Sequence, residues 1–242
     1  MISDNLRSIE RRIAEACARS GRDAGEVTLV AIAKTFPADM IREAVRAGVA
    51  DVGENYMQEL LEKRRQLAGE NIRWHFVGHL QSNKVKLLAE WVSLVHALDS
   101  LPLAEEIDRR AGRAQRMIDV LVEVNTTGEK SKFGVDPGQA EGFVRSLENF
   151  PNIRIAGLMT IGPFLPDPEG SRPAFSLLRR LKEDIARSGQ ANVAMKHLSM
   201  GMSGDFEVAI EEGATLVRIG TAIFGPRKKR TSNGGLHEAH AT

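Results

Sequence analysis

The chain lacks the residues that would tie it to an oxidising compartment or a membrane. Its 242 residues include one cysteine, so no disulfide can form within the chain. Cys17 falls in an amphipathic, charge-rich helix predicted over Asn5–Arg19, which indicates a packing role rather than a redox or zinc role. No run of eighteen apolar residues occurs, and the N-terminus has no long apolar core behind a basic start. We therefore expect a cytoplasmic protein that is neither exported nor embedded in a membrane.

The chain also lacks an excess of charge of either sign. Its 33 basic and 32 acidic residues leave a net charge of +1, so no global field favours nucleic acid or a membrane surface. A small-molecule partner is expected instead. The basic run Lys228–Arg230 opens a tail over residues 228–242 that we interpret as disordered rather than as a nucleic-acid contact. No heptad pattern or apolar surface stripe occurs, so we expect a monomer.

Short apolar runs alternate with segments of helical period along the whole chain. Eight such units in one chain of this length favour a closed (β/α)8 barrel, predicted as a single domain over residues 1–227. The eight predicted strands are Val27–Ala33, Ala50–Gly53, Arg73–Val77, Val92–Ala97, Ile118–Asn125, Ile153–Thr160, Met195–Met200 and Leu216–Ile219. The predicted helices after the first are Ala38–Ala47, Tyr56–Leu67, Asn83–Glu90, Leu101–Ala114, Pro137–Leu147, Arg172–Ser188 and Phe206–Glu212.

An open, doubly wound parallel sheet is the alternative architecture. It is disfavoured because no G-x-G-x-x-G motif follows Val27–Ala33, where a dinucleotide-binding fold would carry one. A segment rich in proline and glycine, Gly162–Gly170, predicts a mobile loop after the sixth strand.

Lys34 is the first candidate for chemistry, because it ends a strand that is apolar on both faces. An amine beside an apolar sheet is costly to keep charged, so we expect its pKa to fall and its nucleophilicity toward an aldehyde to rise. The product would be a Schiff base. The alternative is a surface lysine whose stem lies on the sheet and whose ammonium reaches water.

Polar residues follow several other predicted strands, and a barrel would bring them to the same face as Lys34. Singly, each is as compatible with capping the next helix as with a site. These residues are Glu54, Asn55, His79, Gln81, Asp99, Ser100, Asn125 and Thr126.

Two turns after the last strands have the composition of a phosphate site. In the segment Leu198–Ile210, glycines would let backbone amides approach an anion, with Ser199 and Ser203 as hydroxyl donors. The alternative is a helix N-cap without a ligand. The second turn, Gly220-Thr221, follows the eighth strand, and phosphate sites after strands seven and eight recur in barrels.

Arg218 lies within the eighth apolar strand, so its guanidinium needs an acidic or electron-rich partner. A heteroaromatic nitrogen or a buried carboxylate would serve. An amine, a phosphate turn and this arginine together fit pyridoxal 5'-phosphate (PLP), which carries an aldehyde, a phosphate and a ring nitrogen.

At these residues the chain resembles the PLP homeostasis protein family, whose bacterial members are often called YggS-like. The resemblance spans about Leu6 to Arg227 and rests on the segments Ala33–Thr35, Gly53–Glu59, Trp74–Lys84, Asn125 with Lys130–Gly134, Gly157–Thr160, Leu198–Ser203 with Asp205, and Val217–Gly225. It implies a barrel like the N-terminal domain of alanine racemase, PLP held on Lys34 as an imine, and a part in cytoplasmic vitamin B6 balance. The cofactor-binding residues that it implies are Lys34, Asn55, Ser199, Met200, Ser203, Arg218, Gly220 and Thr221.

A PLP-dependent racemase or decarboxylase of the same fold is the rival interpretation. We expect no second β domain to cover the site, and the single tyrosine, Tyr56, follows the second strand rather than facing Lys34 from an added domain. Arg218 beside the ring nitrogen would also make the ring a weaker electron sink. These features favour a non-catalytic carrier or buffer that hands PLP to recipient apoenzymes.

Two further hypotheses remain open from the sequence. Lys84, Lys130 or Lys132 near the mouth of the barrel could assist release of the cofactor, although a role in solubility is the favoured explanation for each of them. A cofactor-free aldolase that uses Lys34 is the third class of function, but it would leave Arg218 without a ring to contact.

Overall fold

The chain closes on itself as a barrel of eight parallel strands, each paired with the next in sequence and the last paired with the first. The computed structural model describes residues 1–129, 131–187 and 189–226. The strands are β1 Thr28–Ile32, β2 Asp51–Glu54, β3 Arg73–Phe76, β4 Leu94–Leu98, β5 Ile118–Glu123, β6 Ile153–Met159, β7 Val193–Ser199 and β8 Leu216–Ile219. The predicted (β/α)8 barrel is confirmed, and the described residues contain no second domain.

Helices alternate with these strands on the outside of the barrel. They are α1 Ile2–Arg19, α2 Ala38–Arg46, α3 Met57–Gln66, α4 Leu101–Arg113, α5 Ala140–Ser146, α6 Arg172–Ala186, α7 Phe206–Glu211 and α8 Thr221–Phe224. No helix among residues 1–129, 131–187 and 189–226 has the length and apolarity needed to cross a bilayer. The tail over 228–242 and Lys130 lie outside the described residues.

Two predicted helices differ from the structure. Asn83–Glu90 is instead a 3-10 segment, Ser82–Leu87, and its buried Val85 is followed three residues later by buried Leu88, a spacing that suits three residues per turn. Pro137–Leu147 begins with a 3-10 turn before α5 starts, because the Asp136 carboxylate accepts the amide of Gly138 and holds the tighter turn.

Two separate apolar clusters pack against the sheet. The larger lies between the strands and the helices and includes the inward faces of α1, α4 and α6. The smaller cluster contains nine buried residues, among them Val30, Leu121 and Leu216. Buried polar groups share the interior, since His96 on β4 hydrogen-bonds across it to Ser199 on the non-adjacent β7.

Helix α1 covers the seam where β8 meets β1. Its Asn5 Nδ2 donates to the carbonyl of Ile223, 218 positions away in the chain, at 2.9 Å. Arg12 pairs with Glu207 of α7 at 2.6 Å. Cys17 is 1% exposed in the same contact region, which confirms its predicted packing role. The first and last units of the chain are therefore fastened to each other.

Candidate cofactor site

A cavity of about 310 Å³ opens where the carboxyl ends of β1, β2, β7 and β8 converge. Apolar walls come from Ile32, Val77 and Ile161, and the loop over 163–165 contributes its outer rim. Of the eight cofactor-binding residues expected from the sequence, six line this cavity: Lys34, Asn55, Ser203, Arg218, Gly220 and Thr221.

Lys34 lies two residues after the end of β1, and the backbone on both sides of it is held by one largely buried ion cluster. The Lys63 Nζ donates to the carbonyl of Ala33 at 2.8 Å. The amide of Thr35 donates to Glu59 Oε2 at 2.9 Å, with Thr35 at φ +69° in the left-handed region. A threonine is strained in that conformation, so the bond to Glu59 helps to keep it there.

The Lys63 cluster, formed by Lys63, Glu54 and Glu59, is itself largely withdrawn from water. Lys63 is 6% exposed and Glu54 is fully buried, and Lys63 hydrogen-bonds both carboxylates. Burial raises the pKa of Glu54, and the adjacent Lys63 ammonium opposes that rise. Glu54 also accepts the amide of Asn55 at 3.0 Å, so the cluster supports two lining residues of the cavity.

Asn55 carries the clearest sign that the cavity is shaped for a ligand. Among the residues that the structure describes, one buried side-chain polar atom has no hydrogen-bond partner, and it is Oδ1 of Asn55. Leaving such an atom unpaired costs roughly 1–3 kcal/mol, so native proteins rarely do so without a function. A donor on a bound molecule would remove that cost.

The turns after β7 and β8 meet at the opposite wall. The backbone amides of Ser203 and Gly204 have no acceptor within the described part of the chain, and both residues line the cavity. The hydroxyl of Thr221 lies 3.2 Å from that of Ser203, which links the two turns. Asp205 braces the first turn by accepting the Met202 amide at 2.7 Å. Amides and hydroxyls gathered in this way suit an anion such as a phosphate.

Two glycines let these turns approach their surroundings. Gly201 has φ +89°, and a Cβ there would lie 2.6 Å from the Cβ of Ala209. A Cβ at Gly220 would lie 3.1 Å from the carbonyl oxygen of Ile32. A side chain at Gly201 would displace its turn from α7, and one at Gly220 would displace its turn from the end of β1.

Ser199 and Met200, the remaining two expected residues, do not line the cavity. Both are fully buried, because β7 continues through Ser199 before the turn begins. The Ser199 hydroxyl is occupied by His96 and Arg218, and the Met200 amide donates to the carbonyl of Leu216 at 3.2 Å. This placement does not agree with the expectation that Ser199 offers its hydroxyl to a phosphate.

Arg218 forms the inner end of the cavity at 6% exposure. Its Nη1 donates to Ser199 Oγ at 2.7 Å and its Nη2 donates to the carbonyl of Thr160 at 2.8 Å. An acidic or electron-rich partner was expected, but no carboxylate of the described residues hydrogen-bonds to this guanidinium. Burial lowers the pKa of Arg218 to about 10, opposed by the charges of Glu123 and Asp205. Arg218 therefore stays a cation held by neutral oxygens.

A chain of buried side chains, missed by sequence reasoning, leads from Arg218 to the other end of the barrel. We name it the histidine chain: Ser199, His96, His75 and Asp51. His96 Nδ1 lies 2.9 Å from Ser199 Oγ, and His96 Nε2 lies 2.9 Å from His75 Nδ1. His75 Nε2 lies 3.0 Å from Asp51 Oδ1. A histidine inside each of two otherwise buried strands was the sequence signal that could have revealed it.

The remaining acids near the mouth are less fully paired. Burial raises the pKa of Glu123 to about 7, with Asp99 raising it further and Arg218 lowering it. Asp99 lies 3.5 Å from His79 Nδ1, and the His79 ring stacks on Phe133 at 4.0 Å. These groups surround the barrel mouth on the β3 to β5 side.

Other polar residues expected at this face have local roles. The Asn125 amide group donates to the carbonyl of Glu129 at 2.9 Å, and Thr126 bonds Thr160 at 2.9 Å. Lys132 is held by Glu129 at 2.6 Å and by the carbonyl of Gly162 at 3.1 Å.

A smaller neighbouring pocket lies beside the main cavity. It has a volume of about 230 Å³ and is lined by residues that include Asn55, Tyr56, His79, Gln81 and Lys84. Ser100 lies in a third pocket farther round the mouth. None of these three polar side chains, Gln81, Lys84 and Ser100, lines the main cavity.

The chain is similar to known proteins in both sequence and fold. The model of the alanine racemase N-terminal domain matches residues 4–228. The chain is 47% identical over 225 residues to the pyridoxal phosphate homeostasis protein of Aquifex aeolicus, covering 93% of this chain and 98% of that one. It is 42% identical over 236 residues to the human protein of the same name, covering 92% and 85%. The structure of PipY from Synechococcus elongatus with PLP bound matches with a TM-score of 0.80 at 32% identity, covering 93% of this chain and all of that one.

Proposed function

Since this chain belongs to the alanine racemase N-terminal domain family and, within it, to the pyridoxal phosphate homeostasis proteins, we propose that it binds PLP as a Schiff base on Lys34. Its role is to hold and release the cofactor in vitamin B6 homeostasis, without a metabolic reaction of its own. The expected setting is the cytoplasm, where a monomer would pass PLP to recipient apoenzymes.

The observation that carries this proposal is the convergence of three different groups on one cavity. Lys34 supplies an amine, and Arg218 supplies a cation. The amides of Ser203 and Gly204 and the Ser203 hydroxyl, which accepts from Thr221, supply an anion site. These match the aldehyde, phosphate and ring nitrogen of PLP. The unpaired Asn55 Oδ1 adds an acceptor for a donor on the ligand.

The electrostatics of Arg218 support holding rather than turnover. PLP bound to an enzyme acts as an electron sink, and it does so best with a protonated ring nitrogen. A guanidinium keeps its own proton at neutral pH and donates a hydrogen bond instead of a full positive charge. Tyr56, which the racemase interpretation would need opposite Lys34, lines the smaller pocket and is 54% exposed.

The test is the visible absorption of the purified protein after addition of PLP, followed by borohydride reduction and peptide mapping. We expect an imine band whose reduced adduct maps to Lys34, and no such band in Lys34→Ala. Lys84→Ala is the matched control, because Lys84 lines the neighbouring pocket and not the main cavity. A parent protein without the band, or with the adduct elsewhere, contradicts the proposal.

The same preparation separates holding from catalysis. We expect L-alanine to keep its configuration after prolonged incubation with the PLP-loaded protein, measured by chiral chromatography. Racemisation that depends on Lys34 would replace the carrier role with the enzymatic alternative and leave the cofactor assignment intact.

A further inference from the structure

The hydrogen bonds of the histidine chain have one direction that satisfies every group. Arg218 can only donate, so Ser199 Oγ accepts from it and gives its own hydrogen to His96 Nδ1. His96 then carries its proton on Nε2 and donates to His75 Nδ1, which leaves Nε2–H of His75 to donate to Asp51. Two neutral imidazoles thus complete a donor sequence from the cavity to a carboxylate.

The opposite direction leaves a buried group unsatisfied. If His96 donated from Nδ1, Ser199 Oγ would accept from both Arg218 and His96, and its hydroxyl hydrogen would have no acceptor among the described residues. An unsatisfied buried hydroxyl is costly. Burial, followed by the charges of His75 and Arg218, holds the pKa of His96 well below its usual value, in agreement with a neutral ring.

We propose that the histidine chain is a positioning device that fixes Arg218 toward the ring of the bound cofactor without neutralising its charge. The inference rests on the proposed function. Ser199, His96 and His75 do not touch the cavity; they act through Arg218.

The position of Asp51 explains how Arg218 can be fixed without its charge being neutralised. A carboxylate directly on Arg218 would fix the guanidinium but also compensate its charge. Here the carboxylate is three side chains away, and Arg73 binds it through two hydrogen bonds of 2.7 and 2.5 Å. The anchor of the chain is therefore already neutralised at the far end of the barrel, and the charge of Arg218 remains directed at the cavity.

The first test reads the imidazole tautomers of the PLP-free protein by NMR with ¹⁵N-labelled histidine. We expect both His75 and His96 as neutral rings protonated on Nε2. His197, which lies outside the chain, is the reference, with His197→Gln to assign its signals. A ring protonated on Nδ1 at either chain position, or an imidazolium at neutral pH, overturns the donor sequence whether or not PLP binds.

The second test breaks the chain next to Arg218. We expect Ser199→Ala to weaken PLP binding about tenfold, the effect of one charge-assisted hydrogen bond, and to move the ¹⁵N shift of ring-labelled PLP. Ser199→Thr keeps the hydroxyl and should restore both values. A Ser199→Ala protein with parental affinity and an unchanged ring-nitrogen shift overturns the positioning role.

The design also separates this inference from the proposed function. A parent protein that binds no PLP removes the proposed function, and with it the positioning role. A parent that binds PLP on Lys34, together with a silent Ser199→Ala variant, removes the inference alone. Should Ser199→Ala fail to fold, His96→Gln preserves one acceptor and one donor, and its ring-nitrogen shift must stay parental if the chain acts as proposed.

Discussion

The two edges of the barrel mouth each bury one cation, and they treat it in opposite ways. At the β1–β2 edge, Lys63 hydrogen-bonds two carboxylates, Glu54 and Glu59. At the β7–β8 edge, Arg218 hydrogen-bonds a hydroxyl and a carbonyl. Both cations are 6% exposed, so burial does not distinguish them.

The hydrogen-bond partners of Lys63 and Arg218 distinguish the two cations. The charge of Lys63 is neutralised by carboxylates of the protein itself, and Lys63 fixes the backbone beside Lys34. Arg218 has no hydrogen-bonded carboxylate among the described residues; Glu123 and Asp205 act on its charge without such a bond, and a ligand can add a direct partner. The hydrogen-bond partners of a buried cation, rather than its depth, therefore separate a structural cation from a candidate for ligand binding.

The largest effect on stability is expected from removing Lys63, the cation that carboxylates neutralise. Lys63→Met would leave Glu54 buried without its counter-charge, so we expect a loss of about 3 kcal/mol in the free energy of unfolding at pH 7. Urea denaturation of the PLP-free protein measures it. Imine formation on Lys34 should slow as well, because Ala33 loses the bond from Lys63.

Two variants control this experiment. Lys86→Met removes an exposed lysine and should change the stability by less than about 0.5 kcal/mol. Adding Glu54→Gln to Lys63→Met removes the buried acid and should recover part of the loss. If the single Lys63 variant is as stable as the parent, the cluster does not neutralise a buried charge and the comparison fails.

A comparable effect, confined to higher pH, is expected from Glu123, whose charge influences Arg218 although no hydrogen bond joins the two. Its pKa in the folded protein, about 7, lies above the ordinary value of 4.5. Between those two pH values the folded state binds more protons than the unfolded chain, so stability falls as pH rises through this window. Below pH 4.5 both states hold the proton and the contribution vanishes.

Glu123→Gln removes this titration. We expect the free energy of unfolding of the variant to match that of the parent near pH 4.5 and to exceed it by about 3 kcal/mol at pH 8 in urea denaturation. The exposed Glu148→Gln should show no such divergence. A Glu123 variant that tracks the parent across the range would mean that Arg218 already compensates this carboxylate, which would erase the contrast between the two edges.

The smallest effect on stability is expected from Arg218→Met. Replacing a buried ion that lacks a carboxylate partner by an apolar side chain is often nearly neutral, so we expect a change within about 1 kcal/mol in the PLP-free protein. PLP affinity, measured by spectroscopic titration, should fall. A loss of stability as large as that of Lys63→Met would mean that Arg218 is also a structural cation and that the two edges do not differ.

The parts of this molecule differ in how clearly the sequence predicts them. The barrel was predictable because strands buried on both faces and helices with one buried face have different periods. Lys34, Gly220 and Thr221 were predictable because each directly follows such a strand, and barrel topology brings those positions together.

Other parts left weaker signals. Lys63 lies in the strongly charged segment Glu62–Arg65 of α3, where a buried lysine looks like its exposed neighbours. Ser199 lies within the predicted strand Met195–Met200, and the sequence did not indicate to which side of that strand its hydroxyl points. The side chain faces the interior instead of a phosphate. The histidine chain joins β2, β3, β4 and β7, and no local pattern records which side chains meet across a barrel.

The seam between β8 and β1 gives the site an order of assembly. Lys34 follows β1, the first strand of the barrel in chain order, whereas Arg218, Gly220 and Thr221 belong to β8 and the turn after it. Contacts this distant in sequence, such as that of Asn5 with Ile223, form only after nearly the whole chain is available and are slow to form because of the loop they close. A chain that ends before β7 would present Lys34 without Arg218 or the turns after β7 and β8. If these groups hold the cofactor as proposed, we expect the capacity to retain it to be acquired in the closing step of folding.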